Sequence, residues 1–214
     1  LEFRRVLFRS RSTNNYTKLM KKILIVGRGG IGSWIAPDID HYNKHNQFHK
    51  TLFYFADEDT VESKNLPYTT YETEDIMDNK AECLEVKYGF SAITENILTE
   101  EQLTGYDCIV SAVDNTAFRE LLFRFAEKNP EVYWIDLRSE GRSIAAFTKH
   151  PTNTLDDMLK TLPEKVENGS CQLAYELEAG IVQGGNRIIG QIGAQFILNW
   201  TRDVVNSARF IYIF

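Results

Sequence analysis

The run GRGGIG, Gly27–Gly32, stands between the apolar KILIV and a segment with helical spacing. It fits G-x-G-x-x-G at a strand-to-helix junction. Backbone N–H groups can approach phosphate oxygens there, and a helix N-terminus favours negative charge. Gly27, Gly29, Gly30, Ile31 and Gly32 are therefore candidates for holding phosphate. A tight turn with close helix packing would use the same glycines, and the motif alone does not say which nucleotide binds. A second cluster, Asp57, Glu58, Asp59 and Glu62, leaves the apolar run TLFYF within FADEDTVESKNLPY. An acid at the end of the second strand, beside the glycine loop, can accept hydrogen bonds from ribose hydroxyls, and Asp57 has that place.

Lys80, in DNKAE, opens a helical segment against the helix dipole. An anionic ligand explains it there, and so does a solvated surface lysine. Asp114-Asn115 ends one apolar run and opens another helix. The pair reads either as an N-cap or, through Asp114, as a magnesium ligand. Taken together, these groups suit attack on an α-phosphate, which needs charge neutralisation on the leaving pyrophosphate. Hydride transfer would need neither the lysine nor the metal. A nicotinamide-linked oxidoreductase therefore stays as the alternative that uses the glycine loop and Asp57 alone.

The elements that position these residues alternate between strand and helix. KILIVG is a short buried strand. IGSWIAPDIDHYNKH is a helix that Pro37 can bend. TLFYFAD is the second strand, and NKAECLEVKYGF is a helix with Ala81, Leu84 and Tyr88 on one face. SAITENI and DCIVSAVD are strands, NTAFRELLFRFAEKN is a helix, and VYWIDL is a strand. This pattern predicts an α/β fold, a doubly wound and mainly parallel sheet. It puts Asp57, Asp114 and Asp136 at strand carboxyl ends, where such sheets bind ligands. RSIAAFTKH and RFIYIF add C-terminal antiparallel strands. Pro151 to Gly169 reads as a polar excursion. Gly190, Gly193 and Ala194 give the last helix a close-packing face, which suits a helix that helps form a dimer.

The 214 residues favour one domain. The first ten residues, LEFRRVLFRS, are similar to a translated sequencing adapter, and residues 1–19 are read as adapter-derived or disordered. They are expected to lie outside the fold, with Met20 as the start of a single domain, 20–214, cut short at its C-terminus. The net charge is −6, and those nineteen residues hold five of the basic side chains and one of the acidic. That balance argues against nucleic acid as a partner. No apolar run reaches a membrane span. Cys83, Cys108 and Cys171 form no CxxC and no even set, which suits a reducing cytoplasm. His41 and His45, four residues apart, read as a helix face rather than a metal pair. Cys83 and Cys108 read as core residues.

The pieces GRGGIGSW, DEDTVESKNLPY, Lys80, VDNTAFR and IDLRSEG, in this order, resemble the ThiF/MoeB/HesA superfamily. This is the adenylating domain of ubiquitin-like-protein-activating enzymes. The resemblance runs from about Lys22 to Thr201 and implies a Rossmann-like domain that binds ATP and Mg²⁺. Such a domain activates the C-terminal carboxylate of a small β-grasp protein ending in Gly-Gly, usually as a homodimer. Carried over by position, the glycines hold phosphates, Asp57 the ribose, and Asp59, Asn65 and Asn115 the nucleotide. Lys80 neutralises phosphate and Asp114 holds magnesium. Cys171, in NGSCQL, matches the thioester cysteine of many relatives, although a packed free cysteine is equally consistent with the sequence. The family's N-L-x-R-Q becomes Asn65-Leu66-Pro67-Tyr68-Thr69 here, so Tyr68 stands where a cation is expected. An arginine sent from an N-terminal helix into the partner subunit's site has no counterpart after Met20. Arg28 and Arg119 are the candidate replacements, and a nucleotide-binding subunit without turnover is a further alternative.

Overall fold

A computed structural model of the chain describes residues 20–140, 142–162 and 179–214. Five strands run parallel: β1 (Lys21–Val26), β2 (Thr51–Ala56), β3 (Ser91–Ile93), β4 (Cys108–Ser111) and β5 (Tyr133–Glu140). β6 (Ser143–Thr148) and β7 (Arg209–Ile213) follow antiparallel. The seven strands form one sheet in the order β3-β2-β1-β4-β5-β6-β7. The expected α/β doubly wound sheet with antiparallel C-terminal strands is thus the fold.

Burial on both faces explains the unbroken apolar character of β1. Ile23 and Ile25 enter one core with Ile31, which precedes α1 (Gly32–Lys44), with Ile35 and Ile39 of α1, Leu84 of α2 (Lys80–Tyr88), and Ile189 and Ile197 of α5 (Gly185–Thr201). Leu24 and Val26 enter the other core with Phe118 and Leu122 of α3 (Thr116–Lys128) and Met158 of α4 (Leu155–Lys160). Strand order reverses beside β1. The chain leaves outward to β2 and β3 and returns to β4, so a crevice opens beyond the carboxyl ends of β1 and β4.

Three local outcomes bear on the site. β4 stops at Ser111, short of Asp114. The Ala112 N–H still bonds to the Val26 carbonyl at 2.8 Å, and the chain then packs beneath Gly27. Gly27 has φ +93°, and a Cβ there would stand 2.6 Å from the Ala112 oxygen. β5 is longer than expected because its second half pairs with β6, so Asp136 lies within the strand, level with Ser111. Helix α1 runs unbroken through Pro37. A proline leaves the carbonyl four residues back without its helical donor, and the Thr70 hydroxyl supplies one to the Ser33 oxygen at 3.0 Å.

The small face of α5 is spent inside the molecule rather than on a dimer. A Cβ on Gly190 would meet Trp34 Cβ at 2.8 Å, and one on Gly193 would meet Leu137 Cδ1 at 2.4 Å. The polar excursion after Pro151 is partly regular, since Thr154 caps α4 by accepting the Asp157 N–H. The rest of it, and Cys171, lie outside the described residues. No helix among the described residues is long and apolar enough to cross a membrane.

Candidate active site

Asp57 leaves β2 at the crevice, and both its oxygens are engaged by backbone. The Arg28 N–H donates to Oδ2 at 2.5 Å and the Asp59 N–H to Oδ1 at 2.9 Å. One carboxylate therefore fixes the glycine loop to the acidic loop. Burial pushes its pKa up, against the opposing pull of Lys80 and the two N–H donors. Each carboxylate oxygen has a second lone pair, so a ribose hydroxyl can still donate to it.

Lys80 begins α2, with Asn79 as N-cap accepting the Ala81 and Glu82 N–H groups. The lysine side chain is 8% exposed, and its Nζ lies 2.8 Å from Asp59 Oδ2, a carboxylate that is itself 65% exposed. This is a positioned cation rather than a solvated one. The ammonium carries three donors, so the ion pair leaves capacity for an incoming anion. Two residues that the sequence did not single out hold the arrangement together. The Asn79 amide donates to the Asp57 carbonyl at 3.0 Å and the Asp59 carbonyl at 3.3 Å. The buried Tyr71 hydroxyl lies 3.1 Å from both the Arg28 and the Lys80 carbonyls, joining the glycine loop to the start of α2. Asn79 was legible as an N-cap before a helical run, whereas Tyr71 had no signal in the sequence.

The four glycines do different work. Gly27 and Gly32 are required by packing, since a Cβ on Gly32 would stand 1.9 Å from the Gly27 oxygen. Gly30 faces Asn186 of α5 at 2.1 Å from the position of a Cβ. Gly29 has nothing within 4 Å of that position and no left-handed φ. The fold leaves room at Gly29, as an approaching ligand requires. Ile31 is the α1 N-cap, without a side-chain cap.

On the other side of the crevice Asp114 is exposed and makes no side-chain bond among the described residues. Asn115 caps α3, accepting the Ala117 N–H at 2.8 Å and the Phe118 N–H at 3.4 Å. The capping alternative for this pair therefore belongs to Asn115. A single free carboxylate beside a phosphate loop fits the way Mg²⁺ is held, by one or two carboxylates together with substrate phosphates.

The geometry thus joins a glycine loop, a second-strand acid and a helix-opening lysine at the switch point, and a family model for the ThiF family matches residues 4–210. The chain belongs to the ThiF family. No curated protein matches it. Similar solved structures include E. coli MccB with succinimide, at TM-score 0.68 and 14% identity over 91% of this chain and 61% of that one. E. coli MccB with ATP gives 0.63 and 15% over 91% and 60%. E. coli tRNA N6-threonylcarbamoyladenosine dehydratase, TcdA, with AMP gives 0.62 and 16% over 86% of both chains. At these identities the likeness is one of fold, and the chain spans about 61% of the MccB chain.

Several expected roles shift in this ThiF-family chain. Asn65 turns inward: its Oδ1 accepts the Glu62 N–H and its Nδ2 donates to the Tyr68 hydroxyl at 2.9 Å. The amide shapes its own turn and holds the residue that stands in place of the expected cation. Arg119 is not a free cation. Its Nε donates to Asp136 at 3.0 Å, and its Nη2 bonds the Val113 carbonyl. Asp136 is not a site acid, because Arg138 takes its other oxygen at 2.7 Å and leaves it fully buried between two guanidiniums. Arg28 folds into the interior. Its guanidinium lies 3.8 Å from the Phe55 ring centroid, its three nitrogens have no hydrogen-bond partner, and burial brings its pKa down to about 9. Cys83 and Cys108 are buried, with burial raising the Cys83 thiol to about 11. His41 on α1 and His45 at its C-cap are exposed, and no metal-binding cluster occurs among the described residues.

Proposed function

We propose that this chain is an ATP-dependent adenylating enzyme that activates the C-terminal carboxylate of a small β-grasp, ubiquitin-like or sulfur-carrier protein. The observation that carries the reading is the joint placement of a room-leaving Gly29, the loop-fixing Asp57 and the buried Lys80 at the switch point. Their chemistry is phosphoanhydride chemistry. A substrate carboxylate oxygen attacks the α-phosphorus, a new O–P bond forms, the α–β bridging bond breaks, and pyrophosphate leaves. The loop N–H groups carry phosphate charge, Asp57 takes the ribose, and Lys80 takes charge developing on the departing pyrophosphate. Asp114 would hold Mg²⁺, which supplies charge neutralisation on the phosphates. Asp59, Asn65 and Asn115 shape the surrounding loops. Arg28 acts from beneath the loop, as a charge in a poorly screened interior.

A thioester on Cys171, a homodimer and a cytoplasmic setting complete the proposal. In the thioester step the thiolate displaces AMP from the acyl-adenylate. E. coli MccB, similar in fold, is solved with AMPCPP and MccA together, and that pairing of a nucleotide with a second molecule supports a nucleotide-activated partner.

The test is ATP–pyrophosphate exchange with a candidate partner ending in Gly-Gly. Exchange that depends on the partner is expected in the wild type, with a loss of at least tenfold in Lys80→Ala and in Gly29→Ala. Thermal stabilisation by NAD(H) but not by ATP–Mg²⁺ would reverse the assignment. A second reading, a nucleotide-binding subunit without turnover, is favoured by Tyr68 and by the commitment of Arg119 to Asp136. ATP binding without exchange would establish it.

A further inference from the structure

Asn186 opens the buried face of α5, and its side chain is out of place there. The residue is 1% exposed, and neither Nδ2 nor Oδ1 has a hydrogen-bond partner. A leucine would fill similar space at no polar cost, and an unmade bond on a buried amide is destabilising. The carboxamide abuts Gly30 of the glycine loop with its nitrogen leading. A Cβ on Gly30 would stand 2.1 Å from its Nδ2, 2.7 Å from its Cγ and 3.3 Å from its Oδ1. The same helix face then packs Gly190 on Ile31 and Trp34. Asn186, Gly190, Gly193 and Ala194 follow one helical stripe, so a polar residue heading a run of small ones was the signal available in the sequence.

The chemistry of the empty amide narrows its partner. A phosphate offers acceptors only and would leave Oδ1 bare. A peptide group offers one donor and one acceptor, and the peptide groups next to the carboxamide belong to Gly30. Asp57 and Tyr71 hold the Arg28 end of the loop, while Gly29 and Gly30 can turn beyond it, since glycine adopts a wide range of backbone angles and Gly29 has open space at its Cβ position. We infer that Asn186 is a positioning residue for the phosphate loop. When an anion seats, the loop turns so that one of its carbonyls takes Nδ2 and one of its N–H groups takes Oδ1. The remaining N–H groups are then held facing the phosphates. This rests on the ATP reading above and adds the element that reads out phosphate occupancy from beneath.

Calorimetric titration of the full chain with ATP–Mg²⁺ and, separately, with adenosine tests it in wild type, Asn186→Leu and Asn186→Ala. The expected result is a tenfold or greater loss of ATP affinity in both variants, with adenosine affinity within twofold of wild type. Asn186→Leu should melt no lower than wild type, since an unpaired amide is removed. Equal weakening of both ligands, or full retention of ATP affinity, overturns the inference. An effect confined to partner-dependent pyrophosphate exchange also overturns it, because the amide would then serve the acyl substrate. A wild type that binds ATP no better than adenosine overturns the ATP reading and the inference together. A wild-type preference that both variants keep overturns the inference alone.

Discussion

Arg28 sits fully buried against Phe55 with none of its guanidinium nitrogens bonded. Replacing buried ion pairs with well-packed apolar side chains of similar volume is often neutral or stabilising by about 1–4 kcal/mol, and an unpaired buried charge has no partner's attraction to offset its desolvation. Arg28→Met should therefore raise the unfolding free energy at pH 7, measured by urea denaturation, while lowering ATP affinity. The pH dependence follows from the direction of the shift. Burial lowers the arginine from its ordinary value to about 9, so above pH 9 the folded state holds fewer protons than the unfolded one. Wild-type stability then rises with pH relative to Arg28→Met. The advantage of the variant should shrink between pH 8 and 10.5, and a constant difference across that range would mean that the guanidinium is not the destabilising group. Residue identity made Arg28 conspicuous in the sequence, but its direction was not legible. A side chain in a glycine loop can point to the ligand or to the core, and the packing of Phe55 decides.

At the scale of elements, the connection after β4 depends on α3. Arg119 reaches from α3 to Asp136 within β5 and to the Val113 carbonyl, one residue before Asp114. Removing one partner of a buried charge set typically costs about 3–5 kcal/mol, and Arg138 here retains part of the pairing. Arg119→Met should lose about 2–4 kcal/mol of stability in urea denaturation and weaken the magnesium dependence of ATP binding. A variant with unchanged stability would show that Arg138 alone satisfies the carboxylate.

Much of the element pattern was legible because parallel strands buried on both faces are continuous apolar runs, and because Asn79 and Asn115 mark helix starts by type. The length of β5 was not, since pairing with β6 is a long-range event that no local run announces. The glycines of α5 were read correctly as a packing face, but only the tertiary structure says against what. Lys80 was recognisable at a helix start, whereas the Tyr71 hydroxyl that fixes its backbone to the glycine loop was not.

Across the whole molecule, the charges are unevenly layered. The chain is net −6, yet its described interior carries more positive than negative groups near the crevice. Arg28 has no ion-pair partner, and Asp136 is shared between Arg119 and Arg138. Interior charges are poorly screened by salt, while surface acids are well screened. The net negative charge disfavours a distant anion, whereas the buried Arg28 and Lys80 near the carboxyl edge of the sheet favour one that comes close. Raising ionic strength from 20 to 200 mM, in stopped-flow measurement of ATP association, should therefore leave the rate unchanged or raise it, because screening removes the surface repulsion and leaves most of the interior attraction. A steep fall would mean that the attraction reaches far into solvent. The behaviour expected of such a fold is that of a short-range sieve for charge, repelling anions in bulk and selecting those that reach the loop.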